Sequence, residues 1–145
     1  MNNLQFTIIS SNDALARALE IRRTVFIEEQ GISEEIEMDE NDSSAMHILV
    51  ENHGEPAGTA RLRFTADKLV KLERMAVLKP LRGTGIGKGI VSFVEKECLA
   101  RRIEHITLNA QHSAVNFYRA CGFKETGPPF LEAGINHIGM DKELQ

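Results

Sequence analysis

Arg82-Gly83-Thr84-Gly85-Ile86-Gly87-Lys88-Gly89 sets four glycines at alternate positions between an apolar run and a long helical pattern. Glycine lets a backbone approach a ligand closely and take conformations that a Cβ forbids. A helix that begins here points free N–H groups, and the positive end of its dipole, into the loop. Phosphate is the natural occupant of such a place. A tight strand-to-helix turn alone would need fewer glycines.

Register excludes the two commonest nucleotide loops. In a Walker A loop, Ser or Thr follows the Gly-Lys pair and supplies a hydroxyl for Mg²⁺, but Gly87-Lys88 is followed by Gly89. A dinucleotide fingerprint needs glycine at its sixth position, which falls on Lys88 counted from Gly83 and on Ile90 counted from Gly85. The strand–helix–strand unit also comes late in the chain and lacks a matching second half.

Outward from the loop, the pattern alternates between strands and helices. Residues 5–10 read as an opening strand, and Asn12 or Asp13 caps a helix that runs to Gly31. Residues 46–51 and 57–64 form a hairpin around His53-Gly54-Glu55-Pro56, and 69–78 form a third apolar strand that Pro80 ends. After the glycine loop come a helix from Ile86 to about Arg101, a strand at 105–108 and a helix at 112–121. Ser113 could cap that last helix and Gly122 stops it. Strands at 123–126 and 136–140 close the chain, with Pro128-Pro129 between them. The order β-α-β-β-β-α-β-α-β-β predicts a single α/β (α+β) domain over 1–145, with a mixed central sheet flanked by helices.

At 145 residues the chain can bury a real core, and its 42% hydrophobic and 26% charged residues are those of an ordinary soluble domain. No apolar stretch approaches a membrane span and no signal-peptide pattern opens the chain, so a cytoplasmic protein with no membrane partner is expected. Cys98 and Cys121 stand too far apart for a redox or zinc motif, and the five histidines lack ligand spacing, so no metal is expected. A net charge of −4 argues against nucleic acid. That charge is uneven: eight carboxylates and no base lie between Glu28 and Asp42, whereas Arg74, Lys79, Arg82 and Lys88 gather around the glycine loop. One part suits an anion, the other a cation.

Three segments together resemble the GNAT family of acetyl-CoA-dependent N-acetyltransferases. Arg82-Gly83-Thr84-Gly85-Ile86-Gly87 resembles the family's [Q/R]-x-x-G-x-[G/A] loop. Upstream lies the strand Leu72-Glu73-Arg74-Met75-Ala76-Val77, and downstream Ala114 to Phe123 resembles the family's A-x-x-x-[FLY]-Y-x-x-x-G-F segment. The stretch from Ile21 to Gln30 and His137-Ile138-Gly139-Met140 look like the small bacterial ElaA/YjcF-type group. Many members carry Asn where this chain has Gln111, which offers the same amide one methylene further out; Asn109 or Asn116 could take its place.

The resemblance implies the GNAT fold, with strands splayed at a cofactor cleft and acetyl-CoA as co-substrate. Backbone amides of Arg82, Gly83, Thr84, Gly85, Ile86, Gly87 and Lys88 would hold the pyrophosphate, with Arg82 and Lys88 adding charge. Met75, Ala76 and Val77 would hold the pantetheine like an added strand and polarise the thioester carbonyl, with Gln111 or Asn116 on the arm. Glu73 is the candidate general base, against a salt-bridged strand carboxylate, and Tyr118 the candidate general acid, against a tyrosine packed on the cofactor. Glu29, Gln30 and His137 are candidates for the acceptor side. Carboxylates in the acidic segment would attract a cationic amine or form a solvated loop.

The implied function is transfer of acetyl to a primary amine of a small molecule or peptide by direct attack on the thioester. An amino-sugar-phosphate acetyltransferase is the alternative enzyme and needs basic residues in the acceptor cleft; a non-catalytic acyl-CoA-binding module is the alternative outside enzymes. Many relatives are homodimers, and the sequence does not fix this.

Overall fold

A computed structural model describes residues 3–144. Its centre is one mixed sheet built from β1 (Leu4–Ile8), β2 (Met46–Asn52), β3 (Glu55–Ala66), β4 (Leu69–Val77), β5 (His105–Gln111), β6 (Lys124–Glu125), β7 (Phe130–Glu132) and β8 (Ile135–Glu143). The spatial order is β1-β2-β3-β4-β5-β8-β6, and β7 pairs with β8. Only β4 and β5 run parallel; helix α3 (Ile86–Ala100) makes the crossover between them. The remaining helices are α1 (Asn12–Arg22), a short α2 (Glu34–Glu37) and α4 (Val115–Ala120).

The period of two in the strands divides the core between the faces of the sheet. Ile48 and Val50 of β2 pack with Ile86, Ile90 and Val94 of α3, while Leu49 between them packs with Ala18 and Ile21 of α1. Helix α3 begins at the glycine loop and buries Ile86, Ile90, Val91, Val94 and Cys98. Among the described residues, no helix is long and apolar enough to cross a membrane.

Several local expectations change. Ser11, not Asn12 or Asp13, caps α1, its Oγ accepting from the Ala14 amide at 3.2 Å. Helix α1 widens into a π-helical turn at Arg23–Glu29 before Gly31 ends it. Ser113 lies within a 3₁₀ turn, His112–Ala114, and does not cap α4. The strand β7 follows Pro128-Pro129; three exposed residues gave no alternation to read.

Candidate functional site

Strands β4 and β5 pair only at Leu69–Lys71 against His105–Thr107 and then diverge. Past Lys71, β4 has no partner on β5, and a cleft of about 800 Å³ opens between them. A β-bulge sharpens the divergence. Glu73 faces Arg61 and Ala76 faces Thr59, so Arg74 and Met75 share the space opposite Ala60. Arg74 takes the left-handed conformation, φ 53°, which is costly for a side chain of its size. Met75, Ala76 and Val77 at and beyond the bulge line the cleft.

The glycine loop closes one end. Gly83 and Gly85 have φ of 80° and 93°, and Gly85 stands at the N-cap of α3 without any side-chain cap. The first intrahelical donor is the Gly89 amide, bonded to Gly85 O at 2.9 Å, so the amides of Ile86, Gly87 and Lys88 face outward unclaimed. The two later glycines serve a different purpose. A Cβ on Gly87 would stand 3.2 Å from the Phe117 ring, and one on Gly89 only 2.6 Å from the Phe6 ring. They let the start of α3 lie close to α4 and β1. Unclaimed amides at the start of a helix are what a pyrophosphate needs.

Arg82 does not reach out to that space. Its guanidinium donates to both oxygens of Glu29, at 2.6 and 2.8 Å, and its Nε donates to Val77 O at 2.9 Å. The Arg82 hydrogen bonds hold the Glu29 carboxyl below the usual carboxylate range. Glu29 therefore latches the glycine loop and does not line the cleft, where the acceptor side was expected. Thr84 turns its hydroxyl onto Leu81 O at 2.5 Å and stays outside the cleft, and Asn116 binds Arg119 at the surface. The cleft takes its amide at Gln111, whose Nε2 donates across to Gln30 Oε1 at 2.8 Å.

Tyr118 lies at the floor, 8% exposed, edge-on to Phe117 and Phe123. Its hydroxyl meets Met75 Sδ at 3.8 Å on the opposite wall. Burial, reinforced by Cys121, pushes its phenol pKa well up. The proton therefore stays on the oxygen at neutral pH.

On the α1 face of the sheet the charges meet. Both Glu73 oxygens accept from Arg63, at 2.6 and 3.1 Å, and one also accepts from Arg61 at 2.9 Å. Lys71 stands 3.6 Å away. Burial alone pushes the Glu73 carboxyl up, but Arg63, Arg61 and Lys71 outweigh it and hold it below the usual carboxylate range. The partner is not the neighbouring Arg74. With its lone pairs engaged and its proton affinity lowered, Glu73 has the geometry of a paired strand carboxylate rather than of a free base.

The acidic segment is likewise committed. Buried Arg22 donates to Glu37 at 2.9 Å and to Asp42 at 2.7 Å. Buried Arg61 binds Asp39 at 2.6 Å and Asp42 at 3.0 Å. Arg74 binds Asp39 at 3.0 Å and lies 3.1 Å from Glu37. Three of the segment's eight carboxylates, Glu37, Asp39 and Asp42, thus neutralise three arginines, while Glu28, Glu35 and Glu40 are exposed as in a solvated loop.

Beyond Gln111, β5 presents Asn109, whose amide donates to Glu132 on β7 at 3.1 Å. His137, paired with Gln111 across β5 and β8, lines the same side. Val25 and Phe26 from the π-helical turn, Arg63, Lys71, Phe117 and Glu132 also line the cleft. Sequence reading did not reach them, although Arg63 and Lys71 sit at cross-strand positions of the β3–β4 hairpin with Glu73 two residues on.

Residues 7–144 match the family described as acetyltransferase (GNAT) domain. The Bacillus subtilis protein named "uncharacterized N-acetyltransferase YjcF" is 36% identical over 141 residues, covering 97% of this chain and 100% of that one. The crystal structure of Escherichia coli ElaA superposes with a TM-score of 0.84 at 29% identity, covering 99% and 100% of the two chains. A Bacillus subtilis acetyltransferase solved in complex with CoA has a TM-score of 0.74 at 18% identity over 98% and 99%, a likeness of fold.

Proposed function

The chain belongs to the acetyltransferase (GNAT) family, and from that premise we propose that it moves acetyl from acetyl-CoA to a primary amine of a small molecule or peptide by direct attack on the thioester. One observation carries the reading: the bulged end of β4, which has no partner on its β5 side, lines one cleft with the uncapped start of α3 and the buried Tyr118. The amides of Ile86, Gly87 and Lys88 take the pyrophosphate, with the Lys88 ammonium beside them. Met75 to Val77 and the Gln111 amide take the pantetheine, and a β4 amide there polarises the thioester carbonyl. Tyr118 gives its proton to the departing sulfur, whose own pKa as a thiol is about 8.5. Glu73 and its arginines shape the acceptor side.

A second reading has a specific observation behind it. Arg63 and Lys71 line the cleft, both partly exposed, and share the single carboxylate of Glu73. They supply the basic residues that an acceptor with a phosphate, such as an amino-sugar phosphate, needs. A panel of amines with and without an anionic group, read by released thiol, tests both readings. Turnover of plain alkylamines favours the first, and turnover restricted to phosphorylated amines the second. A protein that binds acetyl-CoA and turns over neither would be the binding module.

A further inference from the structure

An alkylammonium must lose a proton before its nitrogen can attack, and the base that takes it works best with a proton affinity near neutrality. Three carboxylates along the acceptor side are held by arginines: Glu73 by Arg61 and Arg63, Asp39 by Arg61 and Arg74, and Glu37 by Arg22 and Arg74. Glu132, exposed on β7, gives one oxygen to the Asn109 amide.

His137 differs from them. It is 7% exposed, lies on β8 opposite Gln111 and borders the cleft. Its Nδ1 is 2.7 Å from Ile135 O. A carbonyl oxygen only accepts, so Nδ1 carries the hydrogen and Nε2 the lone pair of the neutral ring. Phe130 stacks on the ring at 6.0 Å and fixes its plane. Nε2 has no hydrogen-bond partner among the described residues, yet it is not sealed away as His47 Nδ1 is. The other titratable groups on the elements packed against β8 are Glu132 on β7, beside Asn109, Lys124 and Glu125 on β6, the latter tied to Arg119, His105 on β5, 3.5 Å from Asp141, and His112 on the turn after β5. Gln111, the cross-strand neighbour of His137, and Gln30, which it binds, are neutral.

We propose that His137 Nε2 is the general base of the acetyl transfer. The inference rests on the acetyltransferase reading above. Nε2 takes one proton from the ammonium, directly or through one water, and the Ile135 carbonyl stabilises the imidazolium through Nδ1–H. The freed nitrogen lone pair forms the C–N bond at the thioester carbonyl, and the C–S bond breaks. Sulfur receives the Tyr118 proton, and the proton still carried by the attacking nitrogen restores Tyr118. His137 then releases its proton to water, so each turnover yields one amide, one thiol and one proton.

The test compares two acceptors in wild type and His137→Asn, a variant whose side-chain amide can still donate to Ile135 O. One acceptor is a simple alkylamine, protonated at neutral pH; the other is trifluoroethylamine, already neutral there. The variant should lose about 10²-fold in kcat/KM with the alkylamine, far less with trifluoroethylamine, and regain activity with added imidazole. Its CoA affinity should match wild type, and Glu73→Gln should keep the wild-type acidic limb of the pH profile. Equal losses on both amines, an unaltered pH profile, or removal of that limb by Glu73→Gln instead would overturn the assignment while leaving the acetyltransferase reading intact. A wild type that acetylates neither these nor any other amine would sink both.

Discussion

The Glu37 carboxylate lies 3.1 Å from the Arg74 guanidinium and ties the acidic segment to the bulge of β4. Arg74 pays for its left-handed backbone with this contact, with Asp39 at 3.0 Å and with the carbonyls of Ile36 and Glu37, each at 3.2 Å. The segment that looked like bait for a cation is thus a clamp on the strand that would receive the thioester.

Glu37→Ala should therefore act on both stability and turnover. It leaves Arg22, 1% exposed, without one of its two carboxylates. Removing one partner of a buried ion pair costs about 3–5 kcal/mol. The urea midpoint should fall accordingly, and kcat should fall in protein that remains folded, because the bulge loosens. An unchanged midpoint would mean that the network is decorative.

The same network predicts the acid limit of stability. Asp39, Asp42 and Glu73 are partly buried, which pushes their carboxyls up, but arginines outweigh this and hold all three below their ordinary values of 3.8 and 4.5. A depressed folded pKa contributes stability that is complete above the unfolded value and is lost as pH falls through the folded one. The melting temperature should be flat from neutrality to about pH 5 and fall steeply below about pH 4. A decline that begins between pH 7 and 6 would point to another group.

How much of this was legible beforehand depended on how local each signal is. Four glycines in one loop and a period-two strand before it are local features, so the fold and the crossover at α3 followed from them, whereas Tyr118 was singled out by the family resemblance. The partners of Glu73 were not legible. Arg61 and Arg63 lie on a neighbouring strand, and only the β3–β4 register decides that both face that carboxylate. The latch between Glu29 and Arg82 spans the chain in the same way, and nothing near either residue announces it. The glycines looked alike in sequence, yet Gly85 answers to backbone conformation and Gly89 to the Phe6 ring.

The latch makes a prediction about cofactor affinity. Arg82 is held on Glu29 and is available to phosphate only when it lets go. Exposed ion pairs are worth about 0.2–1 kcal/mol, so Glu29→Gln should tighten CoA binding by about two- to fivefold in calorimetry at low salt. Weaker binding would show that the latch orders the loop and that Arg82 stays in place when CoA binds.

Tyr118→Phe isolates the proton donor. The hydroxyl has one weak contact, Met75 Sδ at 3.8 Å, so its loss should leave folding and CoA affinity nearly unchanged. Loss of a general acid should lower kcat by about 10²-fold. A variant with wild-type kcat would reduce Tyr118 to a packing residue beneath the cofactor.

The central claim is that the cleft between β4 and β5 carries acetyl from a thioester to an amine. The most direct measurement follows wild-type protein with acetyl-labelled acetyl-CoA and a panel of primary amines, weighing the products by mass spectrometry while counting the thiol released. The account predicts one labelled N-acetyl amine for each CoA set free. Thiol released without any acetylated amine, or tight acetyl-CoA binding with no product across the panel, would contradict it.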